Sequence, residues 1–141
     1  GGIFLVAVQA GSRADAGFVY AFDPRHDGTV AMIGRYRTAR RESCELAYDR
    51  ESGYLYILHN IDGNTLEVVT LDSESVAGER SFRRMVEIRV PSESNIEGFS
   101  LGAPGRWGGV GAGLRWCFLA DDDNREGALR WFTRWIPPRQ P

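Results

Sequence analysis

The sequence predicts an all-β chain: a β-propeller-like repeat of four-stranded antiparallel blades, incomplete, with about ten strands in a single partial domain over residues 1–141. Three observations predict it. A unit of four short strands recurs about every 50 residues, which is how a propeller blade looks in sequence. The strands are rich in β-branched, aromatic and aliphatic residues, with turn residues between most of them. Helical periodicity competes in one stretch only, residues 73–86, where Val76, Phe82 and Val86 can share a helix face. Gly78 and the β-branched run that follows weaken the helix there.

The first copy is partial. Ile3-Phe-Leu-Val-Ala-Val8 matches the second strand of the unit, Phe18-Val-Tyr-Ala-Phe22 the third and Val30-Ala-Met-Ile33 the fourth, with a hairpin turn expected at Asp27-Gly28. The middle copy is complete: Cys44-Glu-Leu-Ala-Tyr-Asp49, Tyr54-Leu-Tyr-Ile-Leu58, Leu66-Glu-Val-Val-Thr-Leu71 and Met85-Val-Glu-Ile-Arg-Val90. Ser52-Gly53, Asp62-Gly63-Asn64 and Pro91 punctuate it. The last copy offers Ile96-Glu-Gly-Phe-Ser100, Trp116-Cys-Phe-Leu-Ala120 and Ala128-Leu-Arg-Trp-Phe-Thr133, with a glycine-rich insertion over residues 102–113. Trp107 in that insertion reads as a lid residue or a contact to a missing blade. The tally is two and a half blades, whereas closed propellers have about four to eight.

Composition narrows the classes. Apolar content of 43% and charged content of 26% suit an ordinary globular domain. A net charge of −2 gives no general pull toward nucleic acid or an anionic membrane. No apolar run approaches the ~20 residues of a membrane-spanning helix. All 17 basic residues are Arg, which excludes Schiff-base and P-loop lysine chemistry. Two cysteines, Cys44 and Cys117, are too few for a disulfide scaffold. A bridge between them would need strands of neighbouring blades to meet at disulfide spacing. The Gly1-Gly2-Ile3 start reads as a processed chain or a piece of a longer one.

Two short motifs are tested and set aside. Gly98-Phe-Ser-Leu-Gly102 matches the G-x-S-x-G nucleophile elbow, but a Gly/Pro loop follows Ser100 where the elbow needs a helix. Neither His26 nor His59 makes a convincing triad base for it. Gly108-Gly-Val-Gly-Ala-Gly113 lacks the spacing and the following helix of a nucleotide loop.

The acidic residues carry more weight. Glu45 and Glu97 occupy equivalent positions on the first strands of two copies. Asp121, Asp122, Asp123 and Asn124 end the second strand of the last copy. Blade geometry puts Glu45, Glu97, His59 and the 121–124 turn on one rim around a central channel. Repeated inward carboxylates are costly unless neutralised. Two readings stay open: pairing with Arg40, Arg41 or a backbone nest, or a rim site for a hard cation such as Ca²⁺ or a polar ligand.

Ser94-Asn-Ile-Glu-Gly-Phe-Ser100, Cys117-Phe-Leu-Ala-Asp-Asp-Asp-Asn124 and Ala128-Leu-Arg-Trp-Phe132 resemble the pattern of the phytase-like (esterase-like) β-propeller family. The stretch from Cys44 to Tyr56 looks like the preceding blade of that family. The resemblance covers roughly residues 43–132. It implies a propeller with an acidic, Ca²⁺-binding rim and a secreted or periplasmic location. The acidic phosphate-binding signatures of calcium-dependent phytases are not recognisable in this chain.

The first expectation is therefore a propeller-type binding module whose rim carboxylates hold a cation or small polar ligand. The alternative is a Ca²⁺-dependent phosphoester hydrolase, with Glu97, Asp121 and Asp122 on metal and Arg40 and Arg41 as phosphate clamps. A purely structural fragment is the third. The open ends of two half-finished blades predict self-association, or blades supplied by a longer chain.

Overall fold

The computed structural model describes residues 2–9, 14, 16–76, 78–102, 115–124 and 127–135. Among them are ten strands and no helix. The first group is β1 (Phe4–Ala7), β2 (Phe18–Pro24) and β3 (Val30–Arg37). The second is β4 (Glu45–Asp49), β5 (Tyr54–His59), β6 (Thr65–Val76) and β7 (Glu79–Arg89). The third is β8 (Ile96–Leu101), β9 (Arg115–Asp121) and β10 (Leu129–Trp135). Within each group consecutive strands pair antiparallel.

The turns follow their chemistry. Asp62 and Gly63, between β5 and β6, both have positive φ (56° and 91°), as the tight hairpin favoured by Asp-Gly requires. At the β2–β3 hairpin the Asp27 carboxylate accepts from the Thr29 amide at 2.9 Å and from its hydroxyl, while Gly28 takes φ 83°. The described residues of the stretch 73–86 hold no helix. β6 continues to Val76, Gly78 turns the chain with φ 81°, and β7 starts at Glu79. Phe82 is buried and pairs with Ser73 across the hairpin, as a strand residue does.

The repeat reading expects separate blades; the sheets divide differently. The first two groups join through a single parallel pair, Arg37 with Ser81, into one seven-stranded sheet of order β1-β2-β3-β7-β6-β5-β4. This sheet folds over until its edge strands β1 and β4 come into contact, so it is nearly closed. The third group is a separate three-stranded sheet, β10-β9-β8.

The β5–β6 hairpin is the wall shared by two cores. Tyr54, Tyr56 and Leu58 of β5, with Leu66 and Val68 of β6, face the three-stranded sheet and pack on Ile96, Phe99, Cys117 and Leu119. Leu55, Ile57 and Val69 face the opposite way, into the folded-over sheet, against Val19 and Phe82. All six residues of β5 are buried, and an uninterrupted run such as Tyr-Leu-Tyr-Ile-Leu suits a strand covered on both faces. Cys117, within the first of these cores, and Cys44, packed against it, are both free thiols. Burial pushes each up to about 12.

Candidate functional site

The acidic rim is assembled from the chain between β7 and β8. Asn64, buried just after the β5–β6 turn, donates to the carbonyls of Ser92 (3.1 Å) and Ser94 (2.6 Å) and accepts from the Ile96 amide at 3.2 Å. These bonds fix Asn95. Strand β8 then enters with a bulge: Ile96 pairs with Asp121 and Gly98 with Ala120, leaving Glu97 without an opposite residue. A bulge re-aims its extra side chain. Glycine follows because a Cβ at position 98 would lie 2.8 Å from the Ala120 Cβ.

The re-aimed Glu97 meets three amides. Its Oε1 accepts from Asn95 Nδ2 at 2.9 Å and, more distantly, from Asn60 Nδ2 at 3.4 Å and Gln9 Nε2 at 3.5 Å. Gln9 follows β1, Asn60 follows β5 and Asn95 precedes β8, so all three strand groups converge on one carboxylate. Glu45, at the equivalent place on β4, turns its Oε1 to the Leu46 amide at 2.9 Å. Among the described residues neither glutamate forms an ion pair. The field there is negative: burial does most to raise the Cys44 thiol, a backbone hydrogen bond opposes it, and the carboxylates of Glu97, Glu45 and Glu42 add to the rise.

Asn95 also ties Glu97 to the acidic turn. Its amide donates to Asp123 Oδ2 at 3.3 Å and its carbonyl accepts from the Asp122 amide at 3.0 Å. The members of that turn are not alike. Asp121 is buried, with Oδ1 taken by the Asn124 amide at 3.1 Å and Oδ2 facing Arg130 at 3.4 Å. Asp122, Asp123 and Asn124 are exposed, and Asn124 has φ 52°. A polar depression of about 300 Å³ runs between the turn and the 92–95 segment, floored by Asn60, Asn64 and Asn95. Among the described residues no three His, Cys, Asp or Glu side chains stand close enough to hold a metal by themselves.

The other candidates lie elsewhere. Arg40 is engaged by Glu87, with Nε at 3.0 Å, and Arg41 is exposed on the β3–β4 connection. His59, fully buried, points into the folded-over sheet. Its Nδ1 is 2.7 Å from the Glu42 carbonyl and 3.3 Å from Ser43 Oγ; its Nε2 is 3.0 Å from Glu67 Oε2. The same Glu67 oxygen accepts from the Ala39 amide at 3.0 Å. Since a carbonyl only accepts, Nδ1 is the donor toward Glu42. Ser43, His59 and Glu67 carry triad-type groups, yet all are buried and Nδ1 is occupied by the carbonyl, so the trio is a clamp and not a nucleophile. Ser100 lies exposed within β8, paired opposite Phe118, with strand on both sides where an elbow would bend. The glycine loop 108–113 and Trp107 lie outside the described residues.

Sequence reasoning missed Gln9, Asn60, Asn95 and Glu67. Loop amides carry no periodic signal. Glu67 does carry one: a lone ionisable residue in an apolar strand needs a partner, and His59 stands across the hairpin. The chain matches no protein-family model, no curated protein and no solved structure.

Proposed function

We propose that the chain is part of a propeller-type binding module, its three strand groups serving as blades, and that its rim binds a hard divalent cation such as Ca²⁺ through Glu97. The observation that carries this is the convergence on Glu97: one carboxylate in a bulge, no cationic partner among the described residues, and three amide side chains from three strand groups around it. An amide presents its oxygen or its nitrogen after a half-turn about its last bond. Gln9, Asn60 and Asn95 can therefore exchange donors to Glu97 for oxygens to a cation, with the exposed Asp123 beside them. Oxygen ligands of mixed carboxylate and amide type are what Ca²⁺ takes. The resemblance to phytase-like propellers is in keeping with this reading. Phosphoester hydrolysis has less behind it, because Arg40, one of its two clamps, is held by Glu87.

Thermal melting and calorimetric titration with CaCl₂ test the proposal. Binding to the folded state alone raises stability by about 2.7 kcal/mol at a hundredfold excess over Kd. A rise in Tm with Ca²⁺ that is lost in Glu97→Gln is the expected result. The absence of both heat and Tm shift in the unaltered chain leaves the rim as a structural hydrogen-bond network and removes the proposal.

A further inference from the structure

The folded-over sheet is filled unevenly. Along β5 its inward side chains are Leu55, Ile57 and His59. At the His59 end the interior is closed by the pair with Glu67. In the middle Ile57 packs with Val19 and Val69. At the Leu55 end the space is open, as a cavity of about 590 Å³ to which every one of the seven strands contributes a residue. Ligand cavities run from about 300 to 1,000 Å³, and the mouths of closed or nearly closed sheets are among their usual places.

The lining has two characters. Tyr36 and Phe82, stacked with centroids 4.1 Å apart and planes 9° apart, form an aromatic wall. Gly34 permits it: a Cβ at that position would meet the Tyr36 ring at 2.5 Å. Leu46 lines the opposite side, and Ile33 and Tyr48 stand at the mouth, 46% and 48% exposed. Against this apolar lining stands one cation, Arg50, which follows β4 at the opening and forms no ion pair among the described residues. Its neighbours Asp49 and Glu51 are both committed to Arg115. A guanidinium at the edge of an apolar hollow selects a ligand of matching polarity.

We infer that this cavity binds a small amphipathic anion, a molecule with an aromatic or aliphatic body and one carboxylate, sulfonate or similar group at its end. The body lies against Tyr36, Phe82 and Leu46, and the anion is met by Arg50. The site is separate from the Glu97 rim: it lies inside the seven-stranded sheet and uses none of the rim residues.

Two fluorescent probes of like shape separate the possibilities, 8-anilinonaphthalene-1-sulfonate and its uncharged relative N-phenyl-1-naphthylamine. The unaltered chain is expected to bind both at one site. Arg50→Glu should weaken the sulfonate by about tenfold or more, the size of one lost charge-assisted hydrogen bond, and leave the uncharged probe within about twofold. Ile33→Trp, a substitution at the exposed mouth, should weaken both. Equal sulfonate binding by the unaltered chain and Arg50→Glu overturns the assignment of the anion. Binding indifferent to Ile33→Trp, or no binding at all, overturns the cavity as the site. Probe binding that appears only when Ile33→Asp breaks a concentration-dependent dimer also overturns it, and identifies a second copy as the occupant.

Discussion

Asp49 ends β4 with its carboxylate between four donors. Burial alone would raise its pKa and is the largest single influence. The Ser52 hydroxyl, the Glu51 amide and Arg115 together outweigh it and hold the group below the ordinary carboxylate value. A folded-state pKa below the unfolded one means that the stabilisation is complete above about 3.9, the unfolded value. It is lost as pH falls through the lower, folded value. Urea midpoints measured downward from about pH 6 should therefore fall steeply below about pH 4, and Asp49→Asn should flatten that acid limb while lowering stability at neutral pH. An unchanged acid limb in the variant would assign the loss to other carboxylates. The turn behind this residue is legible in the sequence, since Asp49-x-x-Ser52-Gly53 is turn chemistry. Its partner Arg115 is not, because it lies 66 positions away in a strand whose register only tertiary packing sets. The rim shows the same division. Glu97 stands out by its equivalence to Glu45, whereas Asn60 and Asn95 become partners only once the bulge at Glu97 has been formed.

The strands read most clearly where both faces are covered. β5 is evident from its apolar run. β6 and β7 extend further than their apolar segments: residues 73–76 and 79–84 are mostly Ser, Glu and Arg, and among them only Phe82 is buried. Hydrogen bonding across the hairpin, rather than hydrophobic pattern, carries these strands past Leu71. At the end of β5 the His59–Glu67 pair joins β5 to β6 and, through Ala39 and Glu42, both to the β3–β4 connection. Removing one member of such a buried pair leaves the other uncompensated at a cost of about 3–5 kcal/mol, while replacing both by apolar residues is often close to neutral. His59→Leu and Glu67→Leu should each destabilise strongly in urea unfolding, and the double variant by much less than their sum. Additive losses would show that the two groups do not act as a pair.

For the whole molecule, the repeat arithmetic identifies ten strands and their grouping, but not the parallel seam at Arg37 and Ser81, which joins two groups into one sheet through a single residue pair. Nothing local in the sequence marks such a contact. Among the described residues β1 and β10 each end a sheet: β1, in contact with β4, carries Phe4 and Val6 outward, and β10 carries Leu129, Trp131 and Phe132, the last three 45–57% exposed. Unpaired strand edges bearing large apolar side chains template pairing with another chain. Light scattering across the micromolar range should show concentration-dependent self-association, weakened by Trp131→Lys. A monodisperse monomer at every concentration would mean that these edges do not recruit a second copy.

The shared β5–β6 wall also bears on how the chain can be divided. A hairpin with a five-residue connection, residues 60–64, is a local structure that closes at little entropic cost. Here it also contributes residues to both cores. Strip away the three-stranded sheet, and Tyr54, Tyr56 and Leu58 lose their cover. Strip away β1–β3, and Leu55, Ile57 and His59 lose theirs. Among the described residues, therefore, a cut on either side of this hairpin leaves one core without its cover. The hairpin is a common foundation, and whatever loosens it unsettles the buildings on both sides of the street.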